Sequence, residues 1–506
     1  MRLTAVLRRS FELGKQLNFV GGKRVAASAT EFDVVNPATG KAFATCRSSD
    51  AADVEAAIEK ASTAFGAWSR TPPLERGRVL RRAADLIRSH VEDIARWEVR
   101  DNGKPIWEAR VDVLGCADTF DYFGGVCSTL VGQTVPLSSD GRRQHSFAYT
   151  VREPLGVCAG IGAWNYPFQT ASWKMAPALA AGNCFVYKPS PLTPITALYL
   201  AELLTDAGLP DGVVAILQGE AETGQLLCRS PHIAKVSFTG SVPTGQKIMQ
   251  LCADGASNLK PVTLELGGKS PLIIFDDCDL DSAVTGAMLA NFLTQGEVCS
   301  NASRVFVDRR IKAPFVEKLL ERTRRLKIGD PMEEDTRVGA SISEAHLEKV
   351  LGYIRSAKEE GAEVLLGGER VAPSPALAGG YFLSPCVLDR MADGMLSARE
   401  EIFGAVLQLF DFDSEEEVVR RANDTPFGLA AGLFTRDLSR AHRLASQLRA
   451  GTVYVNTYND VHPAVPFGGY KLSGFGRENG MTALEHYSQI KSVFLNAGDE
   501  PLESPF

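Results

Sequence analysis

The stretch Gly156–Lys188, GVCAGIGAWNYPFQTASWKMAPALAAGNCFVYK, decides the fold class of this chain. Its residues predict a strand over Gly156–Trp164, a helix over Phe168–Ala181 and a second strand over Cys184–Lys188. Short apolar strands that alternate with helices are typical of a parallel sheet with helical crossovers. The stretch therefore predicts an α/β fold.

The chain continues this alternation in both directions. The predicted elements after Lys188 are helices over Thr193–Ala207 and Thr244–Cys252 and strands over Val213–Leu217 and Ala234–Phe238. A second series begins with a strand over Pro271–Phe275, a helix over Asp281–Gln295 and a strand over Arg304–Asp308, and continues to about residue 470. Residues 50 to 130 have a helical pattern, so we expect helices before two α/β series.

Two further segments suggest a small β element. Ser139–Thr150 is polar and suits an exposed hairpin, and His486–Phe494 predicts a strand near the end of the chain. The two could pair across subunits, or the strand could lie at a sheet edge within one chain. The sequence leaves both arrangements open.

Charge and composition exclude several classes of function. The 506 residues suffice for two or three domains. A net charge of −7, from 54 basic and 61 acidic residues, lacks the basic footprint needed to bind nucleic acid or an anionic membrane. The longest uncharged stretch, Pro154–Trp173, contains Asn165, Pro167 and Gln169, so it does not predict a membrane span.

The compartment is indicated by cysteine use and by the N-terminus. Ten cysteines without a CxxC pair favour reduced thiols in the cytoplasm, and seven histidines without an HxxxH pair give no support to a metal site. The N-terminus carries Arg2, Arg8, Arg9 and Lys15 among apolar residues. That pattern is typical of a surface helix and also of a mitochondrial presequence, so a mitochondrial location is the alternative.

Two glycine motifs could hold a phosphate group. Gly160-Ile161-Gly162 ends a predicted strand but lacks the third glycine of a dinucleotide fingerprint, and Lys188 ends the next strand, where such folds often hold a ribose. Phe238-Thr239-Gly240-Ser241, with Gly245 opening the following helix, offers free backbone N–H groups to an anion. Structural turns use the same residues, so both interpretations stay open.

Glu265 and Cys299 are the candidate reactive residues. Glu265 stands in the apolar run TLELGG (263–268), and buried carboxylates are rare unless they are paired or functional. Cys299 follows a long predicted helix, and a lone cysteine is usually a small packed residue. A thiol and a buried acid beside a nucleotide-like sheet together favour a chemical role.

At these residues the chain resembles the aldehyde dehydrogenase superfamily, from about Leu17 onward. Six segments carry the resemblance in the family order: GAWNYP (162–167), FTGS (238–241), LELGGK (264–269), GEVC (296–299), EEIFG (400–404) and PFGGYK (466–471). The runs AWNYPFQ (163–169), KPSP (188–191) and FLTQG (292–296) resemble the branch that oxidises betaine aldehyde and related aminoaldehydes.

The resemblance implies the aldehyde dehydrogenase fold. A Rossmann-like NAD-binding domain would comprise 18–133 and 155–266, and an α/β catalytic domain would comprise 267–472. A small β oligomerisation element would comprise 134–154 and 485–497, after an N-terminal extension at 1–17. The resemblance also implies a homotetramer that acts on a small-molecule aldehyde.

The resemblance implies three catalytic residues. Cys299 would be the nucleophile, because a thiolate both attacks an aldehyde and leaves the acyl product. The side-chain amide of Asn165 and the backbone N–H of Cys299 would hold the thiohemiacetal oxyanion. Glu265 would activate the water that hydrolyses the thioester.

The resemblance also implies the residues that bind NAD. Trp164, Gly240, Ser241 and the helix opened by Gly245 would lie along the pyrophosphate and adenine. Lys188 would hold the adenosine ribose. Contacts to the nicotinamide ribose and ring would come from Glu401 and Phe403.

Three residues depart from the family pattern. Pro191 replaces a glutamate that many NAD-preferring relatives place beside the adenosine ribose, which weakens the repulsion of a 2′-phosphate and leaves NADP use open. Ala405 replaces a proline, which we expect to loosen the nicotinamide side. Glu297 replaces a glutamine two residues before Cys299, and a carboxylate facing the thiol would oppose thiolate formation.

For the substrate, the resemblance places Tyr166, Trp173, Phe467 and, less directly, Tyr122 around the aldehyde tunnel. Aromatic faces suit a quaternary ammonium such as 4-trimethylaminobutyraldehyde or betaine aldehyde. They also suit neutral aldehydes, although Val461 fills a position that is often aromatic in general oxidisers. A non-catalytic protein on the same fold is the remaining alternative, and the joint presence of Cys299, Glu265 and Asn165 argues against it.

Overall fold

The computed structural model describes residues 15–137, 146–254 and 257–496. Residues 1–14 of the expected extension and the centre of the expected hairpin lie outside the described residues. The helices are α1 (Ala51–Trp68), α2 (Pro73–Ser89), α3 (Val91–Asn102), α4 (Ile106–Val126), α5 (Pro167–Ala180), α6 (Ile195–Asp206), α7 (Ala221–Arg229), α8 (Val242–Cys252), α9 (Leu280–Phe292), α10 (Lys312–Arg324), α11 (Glu344–Glu359), α12 (Leu396–Arg399), α13 (Glu415–Asn423), α14 (Leu438–Gln447) and α15 (Gly480–His486).

The strands are β1 (Lys15–Gln16), β2 (Asn18–Val20), β3 (Lys23–Val25), β4 (Glu31–Asn36), β5 (Lys41–Arg47), β6 (Thr134–Pro136), β7 (Ser146–Pro154), β8 (Val157–Ile161), β9 (Cys184–Lys188), β10 (Val214–Ile216), β11 (Lys235–Thr239), β12 (Val262–Glu265), β13 (Pro271–Ile274), β14 (Arg304–Asp308), β15 (Glu363–Leu366), β16 (Arg370–Val371), β17 (Phe382–Leu383), β18 (Cys386–Asp389), β19 (Val406–Phe412), β20 (Ala430–Phe434), β21 (Thr452–Val455), β22 (Gly474–Phe475) and β23 (Ser488–Asn496). The predicted α/β fold is confirmed.

The first sheet has the strand order β22-β12-β11-β8-β9-β10-β2-β3 in the described part of the chain. Strands β8 to β12 are parallel, and every residue of β8 and β9 is buried, which explains their continuous apolar sequence. Because parallel strands share one carboxyl edge, the strand ends at Ile161, Lys188, Thr239 and Glu265 meet there.

The second sheet has the order β15-β18-β19-β14-β13-β20-β21 in the described ranges. Its strands are parallel except for β15, which pairs antiparallel with β18 at one edge. One side of its core includes Ile273, Phe306 and Phe410, and a second cluster includes Leu272 and Val305. Successive side chains of a strand point to opposite faces, so this sheet is buried on both sides.

A third sheet joins distant parts of the sequence in the order β23-β7-β6, as far as the structure describes them. Strand β23 pairs antiparallel with β7 over its whole length. The strand predicted near the end of the chain therefore pairs within the same chain. Val135, Ile490 and Phe494 are exposed on this sheet.

One predicted helix boundary is wrong, and the error affects the site. The helix predicted over Asp281–Gln295 ends at Phe292, and a 3₁₀ turn follows over Leu293–Gly296. Thr294 and Gln295 have φ values of 48° and 45°, which residues other than glycine rarely adopt. The helical pattern could not reveal this turn, because Thr and Gln are ordinary helix residues.

All ten cysteines are unpaired thiols, as their single spacing predicts. Within the described ranges, no helix is both long and apolar enough to cross a bilayer. Nor do three or more His, Cys, Asp or Glu side chains of these ranges group as they would around a metal ion.

Candidate active site

A cavity of about 1100 Å³ lies at the carboxyl edge of the first sheet. Most of the residues expected in the site line it, namely Asn165, Glu265, Cys299, Trp164, Lys188, Gly240, Ser241, Glu401, Phe403, Tyr166, Trp173 and Phe467. Pro191 and Val461 line it as well. Residues from five separate parts of the sequence therefore share one cavity that can hold a cofactor and a small substrate.

Two expected residues do not line the cavity. Gly245 packs beneath it, because a Cβ at this position would come within 2.9 Å of the Leu266 side chain. Its absent side chain lets α8 pack closely on the sheet. Tyr122 lies almost one helical turn beyond Thr119, which does line the cavity, and packs edge-on against Phe123 with ring centroids 5.1 Å apart.

Cys299 follows the 3₁₀ turn and is half-buried. Glu108 anchors the turn, because its Oε2 accepts hydrogen bonds from the backbone N–H and the hydroxyl of Thr294 at 2.7 and 2.8 Å. Burial, followed by the nearby Glu265 and Glu401, raises the pKa of Cys299 to about 12. The resting side chain is therefore a neutral thiol at neutral pH, and a base must take its proton during attack.

Asn165 is held beside Cys299 by hydrogen bonds. Its Nδ2 donates to the Glu297 carbonyl at 2.9 Å. The loop is fixed by Asn102, whose Nδ2 donates to the carbonyls of Trp164 and Asn165 at 2.8 and 3.2 Å. A side-chain amide carries two N–H bonds, so Asn165 keeps a second donor for an oxygen atom in the cavity.

Glu265 ends β12 with both carboxyl oxygens buried, and neither oxygen has a hydrogen-bond partner among the residues that the structure describes. Burial, followed by Glu478, raises its pKa well above the usual range, against the opposing effects of Lys174 and Arg477. Lys174 is engaged elsewhere, since its Nζ lies 2.5 Å from Glu478 Oε1. A carboxyl group with a raised pKa and free oxygens is suited to accept a proton from a thiol or a water.

Glu297 does not act on the thiol as its position in the sequence suggested. Its carboxyl oxygens accept hydrogen bonds from the Ile342 N–H and from Gln295 Nε2, both at 2.9 Å. The side chain is fully buried, and it is not among the groups that shift the pKa of Cys299. The carboxyl group therefore supports the 3₁₀ turn rather than opposing the thiolate.

This geometry predicts how Cys299 reacts with an alkylating agent. Because its pKa is raised, the rate of iodoacetamide labelling should increase about tenfold per pH unit between about pH 7 and about pH 9.5. The profile of Glu297→Gln should superimpose on that of the parent, since the carboxyl group points elsewhere. A faster reaction of Glu297→Gln at neutral pH would contradict this placement.

One half of the cavity suits the adenosine part of a dinucleotide. Gly240 and Ser241 lie at the N-terminus of α8, where free N–H groups and the helix dipole attract an anion. Lys188 Nζ donates to the Pro189 carbonyl at 2.9 Å, and burial lowers its pKa to about 8. Pro191 lies in the same half.

The other half contains the residues expected around the nicotinamide. Glu401 Oε1 accepts the Gly268 N–H at 3.0 Å, and a Cβ at Gly267 would come within 2.1 Å of the Glu401 carboxylate. Phe403 has a φ of 63°, and its ring meets Trp164 edge-on at 5.1 Å. The resemblance places Trp164 along the pyrophosphate and adenine. In the structure it packs beside Phe403, which is expected to contact the nicotinamide.

Ala405 is fully buried beside this half of the cavity. Its carbonyl accepts the Cys386 N–H at 2.8 Å, and its side chain belongs to the core of the second sheet. Ala405 is therefore packed in the core although it lacks the ring of the usual proline.

Sequence reasoning missed several further polar residues that line the cavity, and five of them are Glu220, Gln225, Lys247, His346 and Lys349. All five lie on or next to helices α7, α8 and α11, outside the motifs quoted above. On a helix surface, a polar residue that faces a cavity has the same sequence pattern as one that faces water. No sequence signal distinguishes these residues.

The aromatic residues form one wall of the cavity. Trp173 and Phe467 meet edge-on with centroids 5.5 Å apart. The Tyr166 hydroxyl hydrogen-bonds to Thr294 Oγ1 at 2.8 Å, and Lys104 Nζ lies 3.9 Å from the Tyr166 ring centroid. Aliphatic and aromatic surface here can hold the part of a substrate away from the reacting carbonyl.

Comparisons with known proteins identify the family. The aldehyde dehydrogenase family model matches residues 24–493. The 4-trimethylaminobutyraldehyde dehydrogenase of Oryzias latipes is 54% identical over 97% of this chain and 96% of its own length. The protein of that name from Homo sapiens is 52% identical over 98% of this chain and 99% of its own length.

Solved structures agree over the whole fold. The structure of an aldehyde dehydrogenase from Bacillus cereus in complex with NAD⁺ has a TM-score of 0.92 and 41% identity, over 98% of this chain and 99% of the other. An NAD-dependent aldehyde dehydrogenase from Sinorhizobium meliloti has a TM-score of 0.93 and 38% identity, over 98% and 97%. With a cysteine, an unpartnered acid and an amide donor in one cavity, and a family match across almost all its length, this chain belongs to the aldehyde dehydrogenase family.

Proposed function

We propose that this enzyme oxidises 4-trimethylaminobutyraldehyde, betaine aldehyde and related aminoaldehydes to their carboxylic acids with NAD. The observation that supports the chemistry best is that Cys299, Glu265 and Asn165 line a single cavity. Identities of 52–54% to 4-trimethylaminobutyraldehyde dehydrogenases over nearly the whole chain support the substrate class. A preference for neutral aldehydes is the alternative, because aromatic walls also hold uncharged chains.

The reaction begins at Cys299. Its Sγ adds to the aldehyde carbon and its proton passes to solvent in the cavity, while Glu265, which lines the same cavity, acts in the later hydrolysis. The new C–S bond converts the carbonyl oxygen into an oxyanion. The free N–H of Asn165 and the backbone N–H of Cys299 stabilise this oxygen.

The second half of the reaction releases the acid. NAD, when bound, supplies the acceptor for the hydride that leaves the thiohemiacetal carbon. Glu265 then deprotonates a water molecule, which attacks the thioester carbon and expels the Cys299 thiolate. Because the pKa of Glu265 is raised, its basic form, and with it the hydrolysis rate, should still increase with pH in the range where an ordinary glutamate is already ionised.

The cavity fits a dinucleotide at both ends. The N-terminus of α8 with Gly240 and Ser241 suits a pyrophosphate, and Lys188 can hold a ribose hydroxyl. At the other end, the absent side chain of Gly267 leaves room for the Glu401 carboxylate, which can hold a second ribose hydroxyl. We propose NAD as the preferred cofactor. Pro191 has no carboxylate that would repel the 2′-phosphate of NADP, so NADP is the alternative cofactor. Measuring kcat/KM with NAD and with NADP distinguishes the two cofactors.

The substrate proposal predicts a measurable preference for positive charge. The parent should show a higher kcat/KM for 4-trimethylaminobutyraldehyde than for 5,5-dimethylhexanal, which has the same shape without the charge. Trp173→Leu should reduce this ratio by roughly 3- to 30-fold, because one aromatic face is lost. Equal kcat/KM values for the two aldehydes in the parent would instead support a general aldehyde dehydrogenase.

We also propose the organisation of the chain and of its assembly. An NAD-binding domain at 18–133 and 155–266 precedes a catalytic domain at 267–472, and 134–154 with 485–497 forms an oligomerisation element. On that element, the side chains of Val135, Ile490 and Phe494 are exposed, and these apolar surfaces support a homotetramer. Sedimentation velocity measures the oligomeric state.

We propose a cytoplasmic location, which the ten unpaired cysteines support. Cell fractionation with the full chain distinguishes the cytoplasm from the mitochondrial alternative.

A further inference from the structure

The half-buried His346 lies between the buried carboxyl group of Glu297 and the residue Phe403. The mechanism above uses neither His346 nor Glu297. His346 lies in the first turn of α11, where its backbone N–H donates to the Ser343 hydroxyl at 3.2 Å. Its ring reaches the cavity and lies 5.1 Å from the Trp164 ring.

A hydrogen bond to the backbone of Phe403 fixes the orientation of the imidazole. His346 Nε2 lies 2.7 Å from the Phe403 carbonyl oxygen and 3.6 Å from Glu297 Oε1. A carbonyl can only accept, so Nε2 carries the hydrogen and donates it to Phe403. Hydrogen bonds from Ile342 and Gln295 hold the Glu297 carboxyl group in place behind the ring.

Phe403 needs such support because its backbone is strained. A φ of 63° is unfavourable for an aromatic residue and persists only where the surroundings hold it. Its ring packs against both Trp164 and His346, with centroid distances of 5.1 and 6.0 Å. Without the hydrogen bond to its carbonyl, the peptide could relax and the ring would leave the cavity wall.

We propose that His346 is a positioning residue that holds Phe403 in its strained conformation at the nicotinamide end of the cavity. Its Nε2–H fixes the backbone carbonyl of Phe403. His346 acts through Phe403 and has no direct part in bond making. This inference rests on the proposed binding of a nicotinamide cofactor.

The test compares three side chains at position 346 that differ in length and in the ability to donate a hydrogen bond. His346→Leu removes the hydrogen bond and His346→Asn is too short to make it, whereas the amide of His346→Gln can still donate to the carbonyl. We expect the first two variants to weaken NADH binding by about 5- to 30-fold, as for one buried hydrogen bond, and His346→Gln to restore it to within about threefold of the parent. Fluorescence titration with NADH measures the affinity without turnover.

Steady-state kinetics add a second readout. The KM for NAD should rise in His346→Leu and His346→Asn, while the KM for the aldehyde stays near that of the parent. Glu348→Gln, an exposed change on the same helix, is the matched control and should bind NADH as the parent does. Absence of NADH binding by the parent would reject the cofactor proposal, whereas equal affinities of the parent, His346→Leu and His346→Asn would overturn the positioning proposal.

Discussion

Replacing Cys299 by alanine lowers the kcat for aldehyde oxidation by on the order of 10⁴-fold or more, while NADH binds with nearly the affinity of the parent. The reason is that the thiol forms the covalent bond, whereas the cofactor contacts come from α8, Lys188, Glu401 and Phe403. Steady-state assays measure the first quantity, and a fluorescence titration with NADH measures the second.

Cys278→Ala is the matched control for this change. Cys278 is also a half-buried free thiol, but it does not line the cavity, so the variant should retain the parental kcat. The two variants are prepared and assayed in the same way. Substantial turnover by Cys299→Ala would show that another group makes the bond to the aldehyde.

Glu265→Gln separates the two halves of the reaction. We expect a burst of NADH equivalent to about one turnover, followed by a steady state slower than that of the parent by roughly 10²- to 10⁴-fold, because the amide cannot activate water. Rapid mixing with stopped-flow detection of NADH measures both phases. The increase of the steady-state rate with pH should also disappear, since the titrating carboxyl group is gone.

Comparing Cys299→Ala with Glu265→Gln in the same stopped-flow experiment separates the two roles. Cys299→Ala must give no burst, because no thiohemiacetal forms, while Glu265→Gln must give one. Loss of the burst in Glu265→Gln would mean that Glu265 is also indispensable as the base for the thiol, and the proposed division between attack and hydrolysis would have to be abandoned.

The sequence predicts the parallel sheet well because buried strands leave an unambiguous pattern. The strand predicted over Cys184–Lys188 has the observed bounds, since all its residues are buried and glycine precedes it. The end of the helix predicted over Asp281–Gln295 could not be placed, because hydrogen bonds from Thr294 to Glu108 impose the turn. Glu108 lies 186 residues away in the sequence, outside any local pattern.

In the candidate site, too, local sequence patterns identify some residues, whereas contacts between distant parts of the chain determine the others. Glu265 stands out in the sequence because it interrupts an apolar run, and Cys299 because it follows a long helix. The orientation of Glu297 depends on a hydrogen bond from Ile342, which lies 45 residues away and which no local sequence pattern connects to it. His346 itself lies on an amphipathic helix, where its spacing resembles that of a surface residue.

The central claim is that the aldehyde becomes a thioester on Cys299. It is tested most directly by mixing Glu265→Gln with NAD and 4-trimethylaminobutyraldehyde, quenching with acid and analysing the tryptic peptide 270–304 by mass spectrometry. This peptide contains Cys278 as an internal control beside Cys299. We predict the added mass of a 4-trimethylaminobutyryl group on Cys299 alone, whereas an unmodified Cys299 after a full NADH burst would contradict the account.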